Sequence, residues 1–361
     1  MNESDSRRLR RECLDLRQVD STKLLWHIRR KSVSKSRFAD EMQIGRTSLY
    51  RMLEGQPVKH ETIEQVARSL SIDVSELLLN DSGECCVDSM LSPWDHPEWE
   101  IVPGTQLPLE AMSNGLILRI AKVRHRRLPG EFGRAKIYDI TGMSSAVRQQ
   151  CHQALTRHAL VCRQLKNNPH FPVNLTMTAQ FDDSVWTTVD QWIDGESLAM
   201  WRSREPLTGQ TILKVMSDVA QAVGALHSNQ IVARELCPKR ILTPVDQGST
   251  VVTDLELSKL LSFRGTVSAE WQTNPYRAPE ISGGESRCQA DLFSIARIWV
   301  FLLAGHLPEF PDDQQIVLNH GYTEKLTQFI SSSLSPSWRK RPVSVNELFH
   351  LITLQLEAAR R

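Results

Sequence analysis

The sequence predicts a multi-domain chain, an all-α module followed by a larger α+β domain of two lobes, and three observations predict it. The chain has 361 residues, enough for two domains at the usual size of roughly 150 residues each. Apolar residues recur at helical spacing between Ser21 and Asn80. Beyond a break in that pattern, the remaining sequence runs first in alternating, strand-like segments and then, after Gly195, in helical ones. A content of 40% hydrophobic and 24% charged residues is that of a globular chain and excludes a mainly disordered or collagen-like one.

The first domain, residues 21–80, shows its apolar spacing in short segments. These are Leu24, Leu25 and Ile28; Phe38 and Met42; Leu49, Met52 and Leu53; Ile63, Val66, Ala67 and Leu70; and Val74, Leu77 and Leu78. Ser34 starts one helix, Gly45 follows it, and Gly55-Gln-Pro57 closes the next. Each segment predicts a helix. Residues 81–98 mix Gly, Pro, Ser and Asp without a period and read as a linker, although Trp94 and Trp99 offer apolar surface for docking.

The domain from residue 99 to 361 opens with strands expected at Leu116–Val123 and Gly133–Ile140, then a helix over Ser145–Leu165. Further strands are expected at Asn174–Phe181 and Val185–Trp192. Helices follow over Thr211–His227, Ala290–Leu303, Glu324–Leu334 and Val343–Ala359. No apolar run approaches the roughly 20 residues of a membrane-spanning helix, so no membrane partner is expected. The N-terminus alternates charges and lacks the apolar core of a signal peptide. The seven cysteines are scattered without a C-x-x-C pair, which predicts neither a disulfide framework nor a zinc cage and suits the cytoplasm. Forty-three basic against 42 acidic side chains leave a net charge of +1. Nucleic acid, if bound, must therefore be met by a local patch.

Such a patch is offered by Ser34 to Gly55 (S-K-S-R-F-A-D-E-M-Q-I-G-R-T-S-L-Y-R-M-L-E-G). Ala39 suits a close helix crossing, Gly45 a tight turn, and Leu49 an inward face. This segment resembles the helix-turn-helix of the Cro/C1-repressor (XRE) family. The resemblance implies double-stranded DNA as partner, with Arg46, Thr47, Ser48 and Arg51 reading bases or phosphates from the second motif helix. Lys35, which replaces the family's usual glutamine, and Arg37 and Lys59 are then phosphate contacts. A homodimer is the usual state of such modules. Solvated surface charge on a protein-binding bundle is the alternative.

The C-terminal half resembles the eukaryotic-type Ser/Thr protein kinases. The residues that carry the likeness are Asn274 to Glu280 (N-P-Y-R-A-P-E), Asp291 to Ser294 (D-L-F-S), Leu302 to Pro308 (L-L-A-G-H-L-P) and Arg341-Pro342. Asp194 to Leu198 (D-G-E-S-L) follows the interlobe hinge of that family, and Leu226-His227 ends the helix before its catalytic loop. The resemblance implies ATP and Mg²⁺ as cofactors and a protein as substrate or partner. Lys136 matches the strand lysine that pairs with phosphates, Asp254 the metal-binding aspartate, and Gln191, Trp192 and Ile193 the hinge that meets the nucleotide. A lysine on a strand edge is the plain alternative for Lys136.

The catalytic loop departs from the family. Residues 233–240 read A-R-E-L-C-P-K-R, with Glu235 in place of the catalytic aspartate and one methylene longer. Cys237 replaces the loop lysine, and Arg240 replaces the second metal ligand. A guanidinium cannot ligate Mg²⁺, although it can neutralise phosphate itself. Glu256 replaces the glycine after Asp254, and Glu110 to Leu116 holds one glycine where a phosphate-covering loop has three. Counting back from Leu165 places His158 where a lysine-pairing glutamate belongs; Glu131 or another acid is an alternative partner, and a histidine there reads as a helix-surface residue. Thr266, Ser268 and Thr273 fall in the activation-loop region, where a plain polar loop is the alternative.

Three functions fit. The first is a DNA-binding regulator whose kinase-like domain binds nucleotide with weak or no phosphotransfer. The second is an active atypical Ser/Thr kinase using Glu235, Lys136 and Asp254. The third is a non-enzymatic scaffold.

Overall fold

The structure is a computed structural model, and it describes residues 16–31, 35–54, 56–78, 94–105, 110–111, 117–141, 143–180, 183–245, 248–261, 274–283, 287–308 and 312–358. The chain divides into two compact units, Met1–His152 with Thr178–Thr187, and Gln153–Met177 with Thr188–Arg361. Ser34, Gly55, residues 81–93, 112–116 and 246–247, and Thr266, Ser268 and Thr273 lie outside the described residues.

The first unit begins with helices α1 (Ser21–Arg30), α2 (Lys35–Glu41), α3 (Arg46–Leu53) and α4 (His60–Leu70). Their spaced apolar residues meet in one core, where Leu24, Phe38, Leu49, Met52, Ile63 and Leu77 are fully buried. Burial of that apolar stripe stabilises helices too short to persist alone. The segment around Val74, expected as a helix, is instead a single 3-10 turn over Val74–Glu76. The Asp73 carboxylate accepts from the Ser75 N–H at 2.8 Å, and the Glu76 carboxylate accepts from the Asp73 N–H at 3.2 Å. These local bonds satisfy the donors that a longer helix would use.

Two further features of this module escape the periodicity. Strands β1 (Leu16–Arg17) and β2 (Val58–Lys59) pair antiparallel. The left-handed residue between α2 and α3 is Gln43, at φ 54°. Gly45 lies in that turn as expected, extended at the start of α3 with φ −63°. A Cβ at Gly45 would meet nothing nearer than Ser48 Oγ at 3.8 Å.

The sheet follows. β3 (Trp99–Ile101), β5 (Ile117–His125) and β6 (Phe132–Asp139) lie side by side, β4 (Glu110–Ala111) pairs with β5, and the sheet continues as β3-β5-β6-β8-β7. Here β7 is Asn174–Gln180 and β8 Val185–Gln191, and their outer half, Thr178–Thr187, belongs to this unit. The β5–β6 register sets Ile120 opposite Lys136. Ahead of β3, Trp94 Nε1 donates to Thr187 Oγ1 at 3.0 Å, and His96 Nε2 lies 3.0 Å from Thr178 Oγ1. The N–H groups of Glu98 and Trp99 donate to His96 Nδ1. That assigns Nε2 as the donor to the threonine.

The second unit is mainly helical. It takes in most of α5 (Ser145–Gln164), then α6 (Leu198–Arg204), α7 (Gly209–Ser228), α8 (Cys288–Ala304), α9 (Asp312–Leu318), α10 (Glu324–Ser333) and α11 (Val345–Ala358). Thr208 caps α7 by accepting from the Thr211 N–H at 3.1 Å. Met216, Val219, Val223, Trp299, Ile330 and Ile352 form the centre of its core. Short strands hold the loops that carry the site: β9 (Gly195–Ser197), β11 (Ile241–Pro244) and β12 (Val251–Val252) in the order β12-β11-β9, and β10 (Ile231–Val232) against β13 (Lys259–Leu260). At Gly195 a Cβ would collide with the Thr243 carbonyl oxygen, so β9 approaches β11 on a residue without one.

Candidate functional site

The loop between β10 and β11 is built around Asp291 of α8. Its carboxylate is fully buried. It accepts from the N–H groups of Ala233 at 2.8 Å and Arg234 at 2.9 Å, and from His227 Nε2 at 2.9 Å. Burial alone would lower the His227 pKa, but its hydrogen bonds to Asp291 and Cys288 push it up to about 9. His227 is therefore a cation at neutral pH. Arg234, next in the loop, is left-handed at φ 68°, and burial brings its pKa down to about 10. On the far side, Arg341 forks onto Glu280 at 2.7 and 3.0 Å, and so ties the N-P-Y-R-A-P-E segment to the loop before α11.

Glu235 follows Arg234 and is itself only 3% exposed. Arg277 donates to Glu235 Oε1 from Nε at 2.7 Å and also from Nη2. Asn274 Nδ2 donates to Oε2 at 3.1 Å. Arg240 Nη1 lies 3.7 Å from the same Oε2. Both carboxylate oxygens are thus engaged by neighbours within the protein. Oε1 takes two donors and Oε2 one, so the lone pair left on Oε2 is the one open to a hydroxyl, on a carboxylate whose charge is already met by arginine.

Asp254 stands at the end of β12 on a left-handed backbone, φ 62° and ψ 57°. An aspartate held there stores about 1 kcal/mol or more of local strain, and such residues concentrate at functional sites. Arg240 lies within the electrostatic reach of Glu235, Asp254 and Glu256 as well as Cys237; burial works against its charge, and these acids hold it protonated. Burial also raises the Cys237 thiol pKa, which makes it a weak nucleophile. The structure brings Glu235, Arg240 and Asp254 together in the second unit. Lys136 belongs to β6 of the first, where it is 1% exposed rather than on an open edge.

The remaining expected positions fall as follows. Gln191 ends β8, Trp192 and Ile193 follow it, and all three line a cavity of about 720 Å³ with Phe171, Pro172 and Pro244. Neither Glu235, Asp254 nor Arg240 lines that cavity. Arg46, Thr47 and Arg51 are exposed on α3, with Ser48 half-buried beside them and Lys35 half-buried at the start of α2. Arg46 pairs with Asp40 at 3.6 Å, and Arg51 Nη2 donates to the Pro57 carbonyl at 2.8 Å.

His158 is not the surface residue expected of it. It is fully buried on α5, with Nε2 2.9 Å from Asp190 Oδ2 and Nδ1 accepting from the Leu255 N–H at 3.2 Å. Asn174 Nδ2 holds the other Asp190 oxygen at 2.9 Å. The acids beside His158 are thus Asp190 and, 3.8 Å from Nδ1, Glu256, while Glu131, the alternative lysine partner, lies in the turn before β6 of the first unit. Sequence spacing missed Asp190 because it reads as one more residue of a buried strand. The thiol of Cys162 lies 3.7 Å from His158 Nε2, so the three residues form a geometric metal cluster. The Leu255 bond argues against a metal there, since Nε2 ligation would require a proton on Nδ1, where the imidazole is instead an acceptor. A hydrogen-bonded tie between α5, β8 and the Asp254 segment is the arrangement the geometry supports.

This loop, with its buried aspartate anchor, its arginine-to-glutamate fork and its left-handed aspartate, forms the candidate functional region. The family model for the protein kinase domain matches residues 142–360, and the chain belongs to the protein kinase family. It is 26% identical over 265 residues to the phosphorylase b kinase gamma catalytic chain, liver/testis isoform, of Bos taurus, a match covering 70% of this chain and 63% of that one. To the probable serine/threonine-protein kinase PknB of Lactococcus lactis it is 24% identical over 167 residues, 44% of this chain and 26% of that one. The chain thus spans less than two thirds of the length of these relatives. The crystal structure of the PknI kinase domain from Mycobacterium tuberculosis superposes with a TM-score of 0.55 at 18% identity, over 73% of this chain and 97% of that one, and shows the same fold. Among the described residues no helix is long and apolar enough to cross a membrane.

Proposed function

We propose that this chain is a nucleotide-binding member of the kinase family with weak or no phosphotransfer, coupled to a DNA-contacting helical module. The observation that carries the first part is the engagement of Glu235 by Arg277, Asn274 and Arg240. A carboxylate whose charge is met by arginines is a weaker acceptor for a substrate hydroxyl. The residues fit one Mg²⁺ through Asp254, and Lys136 has the chemistry of a phosphate partner. ATP and Mg²⁺ would supply the transferable group and its charge neutralisation. Residues of this chain would hold the phosphates and exclude bulk water.

The DNA part is supported by the exposure of Arg46, Thr47 and Arg51 on one helix, with Lys35 as a phosphate contact and duplex DNA as partner. It is read from the salt dependence of duplex binding. An active atypical kinase is the second reading, favoured by the buried Lys136 and the strained Asp254. A protein acceptor, and a homodimer that pairs two helical modules, belong to either reading.

The test is incubation of the full chain with Mg²⁺ and γ-labelled ATP, alone and with a generic protein acceptor, beside Glu235→Ala. The expected outcome is no label transfer above that variant. Transfer that disappears with Glu235 would establish the active-kinase reading instead.

A further inference from the structure

We infer that Arg240 does the work of a divalent cation, so that nucleotide binds this chain with a single metal ion rather than two. The inference rests on the nucleotide-binding reading above and adds the metal requirement of that site. Arg240 sits where the loop meets β11, its backbone carbonyl accepting from both the N–H and the hydroxyl of Thr253 at 2.8 and 3.0 Å. Those bonds fix the residue next to the strand that delivers Asp254. Glu235 Oε2 stands 3.7 Å from its guanidinium, and Asp254 and Glu256 act on it electrostatically, a convergence of acids that in a site for phosphates would call for a bound cation. The cation is already present, covalently part of the chain.

A second observation points to an outside ligand. Arg240 Nη1 is buried and makes no hydrogen bond, and the nearest acid oxygen, Glu235 Oε2, stands at 3.7 Å. A buried guanidinium donor left unsatisfied is uncommon, because its desolvation is not repaid. A phosphate oxygen is the acceptor whose charge and geometry match it. Since a guanidinium repels a metal ion and cannot ligate one, the same position cannot also help to hold a second Mg²⁺. Asp254 remains as the ligand for one.

The test counts metal ions and needs no turnover. The full chain is titrated with Mn²⁺ in the presence of the non-hydrolysable analogue AMP-PNP, and bound Mn²⁺ is counted by electron paramagnetic resonance while melting temperature is followed in parallel. The expected result is one Mn²⁺ per nucleotide-bound chain. Arg240→Asn, its fold checked by its melting temperature without nucleotide, is expected to bind the analogue about tenfold or more weakly at low Mn²⁺. Excess Mn²⁺ is expected to recover that affinity as a second ion enters. Arg240→Lys keeps the charge and is expected to retain the single-ion count. Two Mn²⁺ on the wild-type chain, or unchanged affinity in Arg240→Asn at low Mn²⁺, would overturn the inference and leave nucleotide binding intact. No melting shift with nucleotide at any metal concentration would instead sink the nucleotide-binding reading, and this inference with it.

Discussion

Asp291 and Glu235 are both buried carboxylates in the same loop region, and the partners they choose differ in kind. Asp291 is held by backbone N–H groups of the loop and by a charged histidine. Glu235 is held by side chains from a segment far along the chain, Arg277 and Asn274. Backbone donors are present whatever the sequence, so the Asp291 anchor needs only the aspartate and the fold. The Glu235 arrangement needs particular residues at several positions. The loop is therefore braced by groups that the backbone supplies, while its chemical end is held by side chains.

The sharpest way to break this comparison is Asp291→Ala. Loss of its carboxylate strands two N–H donors and a half-buried histidinium, and about 3–5 kcal/mol of stability should disappear in urea unfolding. A loss below about 1 kcal/mol would mean that the loop is held elsewhere. At Glu235 the prediction is a pairing effect. Glu235→Leu or Arg277→Met alone should destabilise by about 3 kcal/mol, since either leaves a buried charge uncompensated, while the double substitution should recover most of the loss. Additive losses in that cycle would show that the two side chains are not coupled.

The smallest effect concerns pH. His227 has a raised pKa in the folded state, so its contribution to stability is complete below its unfolded value of 6.5 and is lost as pH rises through about 9. Unfolding followed across that window should show stability falling, and His227→Gln should flatten the fall. An unchanged slope in the variant would assign the pH dependence to other groups.

How much of this was legible in the sequence follows from the range of each interaction. The helices α5, α7, α8, α10 and α11 announce themselves by periodicity over many residues, and the structure keeps them within a few residues of their expected ends. Arg341 and Glu280 both stand in motifs that the sequence displays, and the fork joins the two. The two-residue strands β1, β2 and β10 are too short to carry a pattern, and α6 and α9 span only a turn or two. Within the candidate site, the residue types at 235, 237, 240 and 256 were visible at once as departures. What they pair with was not, because Arg277 with Glu235 and His158 with Asp190 are contacts between distant segments. Gln43 was missed for a different reason. It holds a positive φ without being glycine, and glycine is only the commonest residue to adopt one.

The close approach at Gly195 has a consequence for how mutational data on this chain would read. The obstacle to a side chain there is the Thr243 carbonyl, part of the main chain, which cannot rotate aside as a flexible side chain can. A library screened only for folded, soluble product would therefore keep glycine at that position as strictly as one screened for chemistry. Intolerance at residue 195 measures the clearance between two strands, and a map of intolerant positions would place a bright spot there that belongs to architecture alone.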